Sequence, residues 1–140
     1  MPEHDPSALT PLILYALWAV ALQVLLAFAR FSAMRRDNRL ENSFKPTGDT
    51  DQLDAHSRAH MNTVENLPVF TLVYLSALWL ATGAPVEAIG WTALGARMLQ
   101  SLCHIASREN AFVRLRAAMQ FVQIICFSWL GVAALIAANS

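Results

Sequence analysis

The chain has 140 residues, which is the length of a single domain. Hydrophobic residues make up 56% of it and charged residues only 14%, whereas about a quarter of an average soluble domain is charged. Ten basic residues balance ten acidic ones, so the net charge gives no reason to expect a nucleic-acid partner. This composition favours a membrane protein over a soluble one.

Four helices are predicted, and the first and the last are the most apolar. Residues 7–29 and residues 117–138 contain no charged side chain, and each stretch exceeds the roughly 18 residues that a membrane-spanning helix needs. Residues 67–82 are uncharged but short, so the second helix is predicted to begin earlier, among polar residues. The third helix is interrupted by Arg97, and Pro85 suits its first turn.

The predicted fold is an all-α membrane protein, an up-down four-helix bundle forming one domain over residues 1–140. The predicted spans are residues 8–35, 56–83, 86–107 and 111–138. A further prediction concerns the second helix, where Pro68 is expected to produce a kink near Val64. Cys103 and Cys126 fall inside spans and lack the spacing of a metal site, so both are interpreted as small buried residues.

The basic residues predict the orientation of the bundle, because an excess of lysine and arginine marks cytoplasmic loops. All ten lie in or near the first and third connections: Arg30, Arg35, Arg36, Arg39, Lys45, Arg58, Arg97, Arg108, Arg114 and Arg116. Loops 1 and 3 are therefore predicted to be cytoplasmic and both termini non-cytoplasmic. Aromatic residues near the opposite end have two open interpretations, an interfacial belt or a packed core: Tyr15, Trp18, Trp79 and Trp91.

Three predicted helices carry a polar stripe, because residues spaced by three, four and seven share one helix face. The stripes are Arg58–Asn62–Glu65, Arg97–Gln100–His104 and Arg116–Gln120–Gln123. Their arginines outnumber Glu65, the one carboxylate expected to be buried with them. Such a pocket suits a small anion that also carries an ammonium group. The alternative is that amides and ion pairs merely join the helices.

The stripe on the second helix lies in the motif RAHMNTVENLPVF, residues 58–70. It resembles the signature of the membrane-associated proteins in eicosanoid and glutathione metabolism, the MAPEG family. ARMLQSLCHIAS, residues 96–107, is similar to that family's arginine-led third helix, and VRLRAAMQ, residues 113–120, resembles the start of its fourth. The four-helix layout extends the resemblance over nearly the whole chain.

The resemblance implies a homotrimer in the membrane, with a glutathione site between neighbouring subunits near the cytoplasmic face. By position, Arg116 matches an arginine placed near the glutathione thiol and is the expected catalytic residue. The expected glutathione-binding residues are Arg35, Arg58, Asn62, Glu65, Arg97, His104 and Gln120, with Glu65 matched to the ammonium. A lipophilic small molecule from the bilayer is the expected second substrate, and no metal site is expected.

The chain departs from the pattern of the active members at four positions. Met61 replaces a second arginine, His104 and Gln120 replace tyrosines, and Ala117 replaces a serine. The leading hypothesis is a glutathione-dependent transferase or peroxidase acting on lipophilic electrophiles. The departures favour an alternative, a member that binds lipid or a partner protein without catalysis. A third hypothesis, a proton or ion pathway, is weakened because the polar stripes stop near mid-membrane.

Overall fold

The computed structural model describes residues 6–45, 49–81, 85–107 and 109–139. A short 3-10 turn precedes four helices: α1 (Thr10–Asp37), α2 (Asp51–Leu80), α3 (Val86–Ala106) and α4 (Asn110–Ala138). The predicted all-α, four-helix architecture is confirmed. Residues 82–84, in the predicted second turn, and Arg108 lie outside the described residues.

Three of the helices are long and apolar enough to cross a membrane: α1 with its preceding turn, α2 and α4. The shorter α3 carries the charged Arg97 and the polar Gln100 and is not among them. An integral membrane protein is thus supported, while the fourth span and the sidedness of the loops stay predictions. α2 runs without interruption through Pro68.

The N-terminus of α2 lies earlier than predicted, at Asp51 rather than at residue 56. Thr50 caps the helix, since its hydroxyl oxygen accepts a hydrogen bond from the Leu53 backbone N–H at 3.4 Å. Asp51 and Asp54 follow in the first turn, where the helix dipole favours negative charge. These two carboxylates consequently lie at the polar end of the bundle.

An aromatic stack forms the centre of the core and joins α1, α2 and α4. The Phe70 ring lies 4.8 Å from the ring of Tyr15 and 5.4 Å from that of Phe127, measured between centroids. Tyr15 is fully buried, so the interfacial-belt interpretation is wrong for this residue.

The burial predicted for the two cysteines, Cys103 and Cys126, is confirmed. Trp79 is 65% exposed, which keeps the belt interpretation open there.

Close packing between α2 and α3 depends on Gly90. A Cβ atom added at this glycine would overlap the Cε2 atom of the buried Tyr74 ring, whereas one added at Gly95 would meet nothing within 4 Å. We expect Gly90→Ala to destabilise the protein by about 1–3 kcal/mol through overpacking. Gly95→Ala is the control and should be neutral or stabilising, since alanine favours a helix. Thermal unfolding in detergent measures both, and equal melting temperatures would contradict the packing argument.

The first loop is closed by an ion pair between Arg39 and Asp49. The guanidinium donates two hydrogen bonds to the carboxylate, at 2.6 and 3.1 Å, and also lies over the Phe44 ring. These bonds lower the pKa of Asp49 from 3.8 to about 2. A carboxyl group with a depressed pKa stabilises the fold above its unfolded pKa and loses that contribution as the pH falls through the folded one.

Asp49→Asn should therefore lower the melting temperature above about pH 4, and its difference from the wild type should vanish as the pH approaches about 2. Unfolding curves recorded across this pH range measure the difference. Glu109→Gln, at an exposed position, is the control for removing a carboxylate. A difference that persists unchanged at the lowest pH would argue against the ion pair.

Candidate functional site

A cleft of about 570 Å³ opens at the end of the bundle where α2 begins, α3 ends and α4 begins. Its lining residues come from all three helices: Asp51, Asp54, Arg58, His104, Val113 and Arg116. Because the connection between α3 and α4 is short, His104 and Arg116 are brought together from opposite sides of that turn. Three of the predicted site residues, Arg58, His104 and Arg116, thus line one space.

His104 connects α2 to α4 through both nitrogens of its ring. Its Nδ1 lies 3.2 Å from Nη1 of Arg116, and its Nε2 lies 3.3 Å from the side-chain amide of Asn62. The side-chain amide nitrogen of Asn66 donates to the backbone carbonyl of Asn62 at 2.7 Å, one turn earlier on α2. The structure therefore brings Asn62, His104 and Arg116 into one hydrogen-bonded chain at the edge of the cleft.

The glutamines form a separate cluster between α3 and α4. The Gln100 amide nitrogen donates to Oε1 of Gln120 at 3.0 Å, and the Gln123 amide nitrogen donates to Oε1 of Gln100 at 2.9 Å. Gln100 and Gln123 are buried. Gln120, predicted to bind the ligand, thus has its amide oxygen bonded to a neighbouring helix, which supports the interpretation that these amides join the helices.

Arg97 lies in the core and does not line the cleft. Its side chain is 1% exposed, and Nε donates a hydrogen bond to the Tyr15 hydroxyl oxygen at 2.9 Å, which joins α3 to α1. Its Nη2 is buried and has no hydrogen-bond partner among the described residues. The polar stripe predicted on α3 therefore separates, with His104 at the cleft and Arg97 among the buried aromatic side chains.

Glu65 and Arg35 are both exposed on the protomer. The buried position expected for Glu65 is wrong for a single subunit. Thr63 and Phe70, seven residues apart and both fully buried, define the inner face of α2, and Glu65 lies two residues after Thr63, on the opposite side. The Arg35 guanidinium lies 4.6 Å from the Phe31 ring centroid. Neither residue lines the cleft.

The sequence profile of the MAPEG family matches residues 8–136, which include the whole of α1, α2 and α3 and all of α4 except its last two residues. The chain belongs to the MAPEG family. No curated protein matches its sequence as a relative. The resemblance carried by the motif in residues 58–70 is thus confirmed at the level of the family.

The charge balance of this MAPEG cleft differs from the predicted one. Two arginines, Arg58 and Arg116, share it with Asp51 and Asp54, and the Arg58–Asp54 pair is separated by 3.7 Å. The predicted surplus of arginines is therefore wrong for the cleft. This prediction failed because α2 was predicted to begin after Asp51 and Asp54. The sequence TDQLD, in which a threonine precedes both aspartates, is nevertheless a typical helix start.

Proposed function

We propose that this MAPEG protein is a glutathione-dependent transferase or peroxidase acting on lipophilic electrophiles from the bilayer. The observation that carries the proposal is the meeting of Arg58, Asn62, His104 and Arg116 from three helices at one end of the bundle. Glutathione offers two carboxylates and an ammonium group. Arginine forks and amides suit the carboxylates, while Asp51 and Asp54 give the cleft the mixed charge that a zwitterion matches.

We also propose that the site is completed by a second copy of the chain within a homotrimer. Glu65 lies inside a membrane-spanning helix, is exposed, and has no ion-pair partner among the described residues. A charged side chain facing lipid costs at least roughly 2.5 kcal/mol, so a neighbouring subunit covering this face would remove the cost. Glu65 would then bind the ammonium group of glutathione at the subunit boundary, on the cytoplasmic side.

In the proposed reaction Arg116 stabilises the glutathione thiolate. One of its guanidinium nitrogens contacts His104, and the remaining N–H groups make no hydrogen bond with the described residues. A thiol with a pKa near 8.5 is only a few per cent ionised at neutral pH, so a nearby positive charge increases the nucleophilic fraction. The thiol proton passes to solvent, the thiolate sulfur forms a bond to the electrophilic carbon, and the bond from that carbon to the leaving group breaks; with an aryl halide the halide ion leaves with the electron pair.

The proposal is tested by assaying the detergent-purified protein with glutathione and a generic aryl halide. We expect conjugation that saturates with glutathione and exceeds the uncatalysed rate. Boiled protein and protein without glutathione are the controls. A rate equal to the uncatalysed one, with peroxide substrates also unreduced, would contradict the enzymatic function.

One observation favours the second candidate function, binding of a lipid or a partner without catalysis. The Gln120 amide oxygen is bonded to Gln100, and Ala117 has no hydroxyl group, so the donors near a bound thiol are few. A non-catalytic protein should gain no turnover from Gln120→Tyr combined with Met61→Arg. A wild-type rate that Arg116→Ala abolishes would exclude this candidate.

A further inference from the structure

The chain of hydrogen bonds from Arg116 through His104 to Asn62 determines where its protons lie. A guanidinium can only donate, so His104 Nδ1, at 3.2 Å from Arg116 Nη1, must be the accepting nitrogen. A neutral imidazole that accepts at one nitrogen carries its proton on the other. His104 is therefore the Nε2–H tautomer and donates toward Asn62.

The tautomer in turn determines the direction of the Asn62 amide. The atom 3.3 Å from Nε2 in the structure is the Asn62 amide nitrogen, but the amide nitrogen and oxygen have the same shape, so hydrogen bonding decides which of them truly faces the ring. Because Nε2 donates, the amide oxygen of Asn62 must face it. The amide NH2 group is then directed away from His104, where the amide makes no hydrogen bond with the described residues.

We propose that Arg116 and His104 form a relay that orients Asn62 so that it presents a donor, never an acceptor, to a bound ligand. The ligand group at Asn62 must then be a hydrogen-bond acceptor such as a carboxylate. Asn62 lies three residues before Glu65, on the same part of α2, so an acceptor and an ammonium group of one ligand are recognised side by side. In this role His104 is a positioning residue. The ligand part of this inference rests on the proposed function, whereas the tautomer does not.

The relay is tested by nitrogen NMR of protein labelled at its four histidines, without ligand. The ring-nitrogen signals that are missing from the spectrum of His104→Gln are those of His104. We expect a protonated Nε2 and an unprotonated Nδ1 in the wild type. A carboxylate accepts where a guanidinium donates, so Arg116→Glu should protonate Nδ1. Arg114→Glu, with the same charge change at an exposed position on α4, should leave Nδ1 bare.

A protonated Nδ1 in the wild type would overturn the relay, and so would a bare Nδ1 in Arg116→Glu. Asn62→Asp is the second variant, because aspartate can accept from Nε2–H but cannot donate to a ligand. It should keep the wild-type histidine spectrum and bind glutathione at least tenfold more weakly. If the wild type gives the expected histidine spectrum but does not bind glutathione, the relay stands and the proposed function is contradicted. Failure of the relay can therefore be distinguished from failure of the proposed function.

Discussion

Replacing Arg116 with alanine is expected to lower the rate of glutathione conjugation by about 100- to 1,000-fold, the usual cost of removing a donor that stabilises developing charge. The residue lines the cleft and retains N–H groups that no described residue uses. Without it, the glutathione thiol returns to its ordinary pKa and is mostly protonated at neutral pH. Steady-state kinetics with a generic electrophile measure the loss.

Arg114→Ala provides the matched control. Arg114 is two residues away on α4 and exposed, so its loss should change the rate by less than about twofold, as surface substitutions usually do. Arg116→Lys should fall between the two, because it keeps the charge and loses the planar fork. Equal rates for Arg116→Ala and Arg114→Ala would show that the cleft arginine has no part in catalysis.

The second large effect is expected at the buried pair of Tyr15 and Arg97. Tyr15→Phe keeps the ring that stacks on Phe70 but removes the oxygen that accepts from Arg97 Nε. Since Nη2 is already without a partner among the described residues, the guanidinium would lose the one acceptor seen there. We expect a loss of about 2–3 kcal/mol in the free energy of unfolding, because an unsatisfied buried charged donor is costly.

Tyr74→Phe is the control, since Tyr74 is equally buried and its hydroxyl donates to the backbone carbonyl of Ala8. That neutral hydrogen bond should be worth only about 1 kcal/mol. Arg97→Met removes the buried charge altogether and should be less harmful than Tyr15→Phe. In the Arg97→Met background, Tyr15→Phe should cost little, as expected for coupled residues. If Tyr15→Phe lowers the melting temperature in detergent equally in the wild type and in the Arg97→Met background, the two residues are not coupled and the pairing is contradicted.

The fold was predictable because hydrophobicity dominates it. Long uncharged stretches predicted α1 and α4 within a few residues, since a helix satisfies all of its backbone groups within one segment, as lipid requires. The start of α2 was missed because its first turn is held by local contacts, with Thr50 capping and Asp51 facing the helix dipole. Such signals are short and polar and do not appear in a search for apolar spans.

The site was predictable only in part. Spacing along a helix shows which residues share a face, but it does not show whether that face is directed into the bundle or away from it. The meeting of Asn62 with His104 follows from their stripes on α2 and α3. Glu65 belongs by spacing to the same stripe as Asn62, yet the inner face of α2 is set by Thr63 and Phe70, which leaves Glu65 outside. Whether a neighbouring subunit covers it depends on assembly, which the pattern of one chain does not encode.

Binding of glutathione at this polar end and ionisation of its thiol are both measured by the ultraviolet absorbance of the thiolate during a glutathione titration. The wild type should give a saturable thiolate signal at neutral pH. Glu65→Gln should need at least about tenfold more glutathione, as expected for loss of a charged contact, and should reach the same plateau because Arg116 is intact. Saturable binding without thiolate absorbance would show that the thiol is not ionised at this site, and no saturation at all would show that glutathione does not bind there.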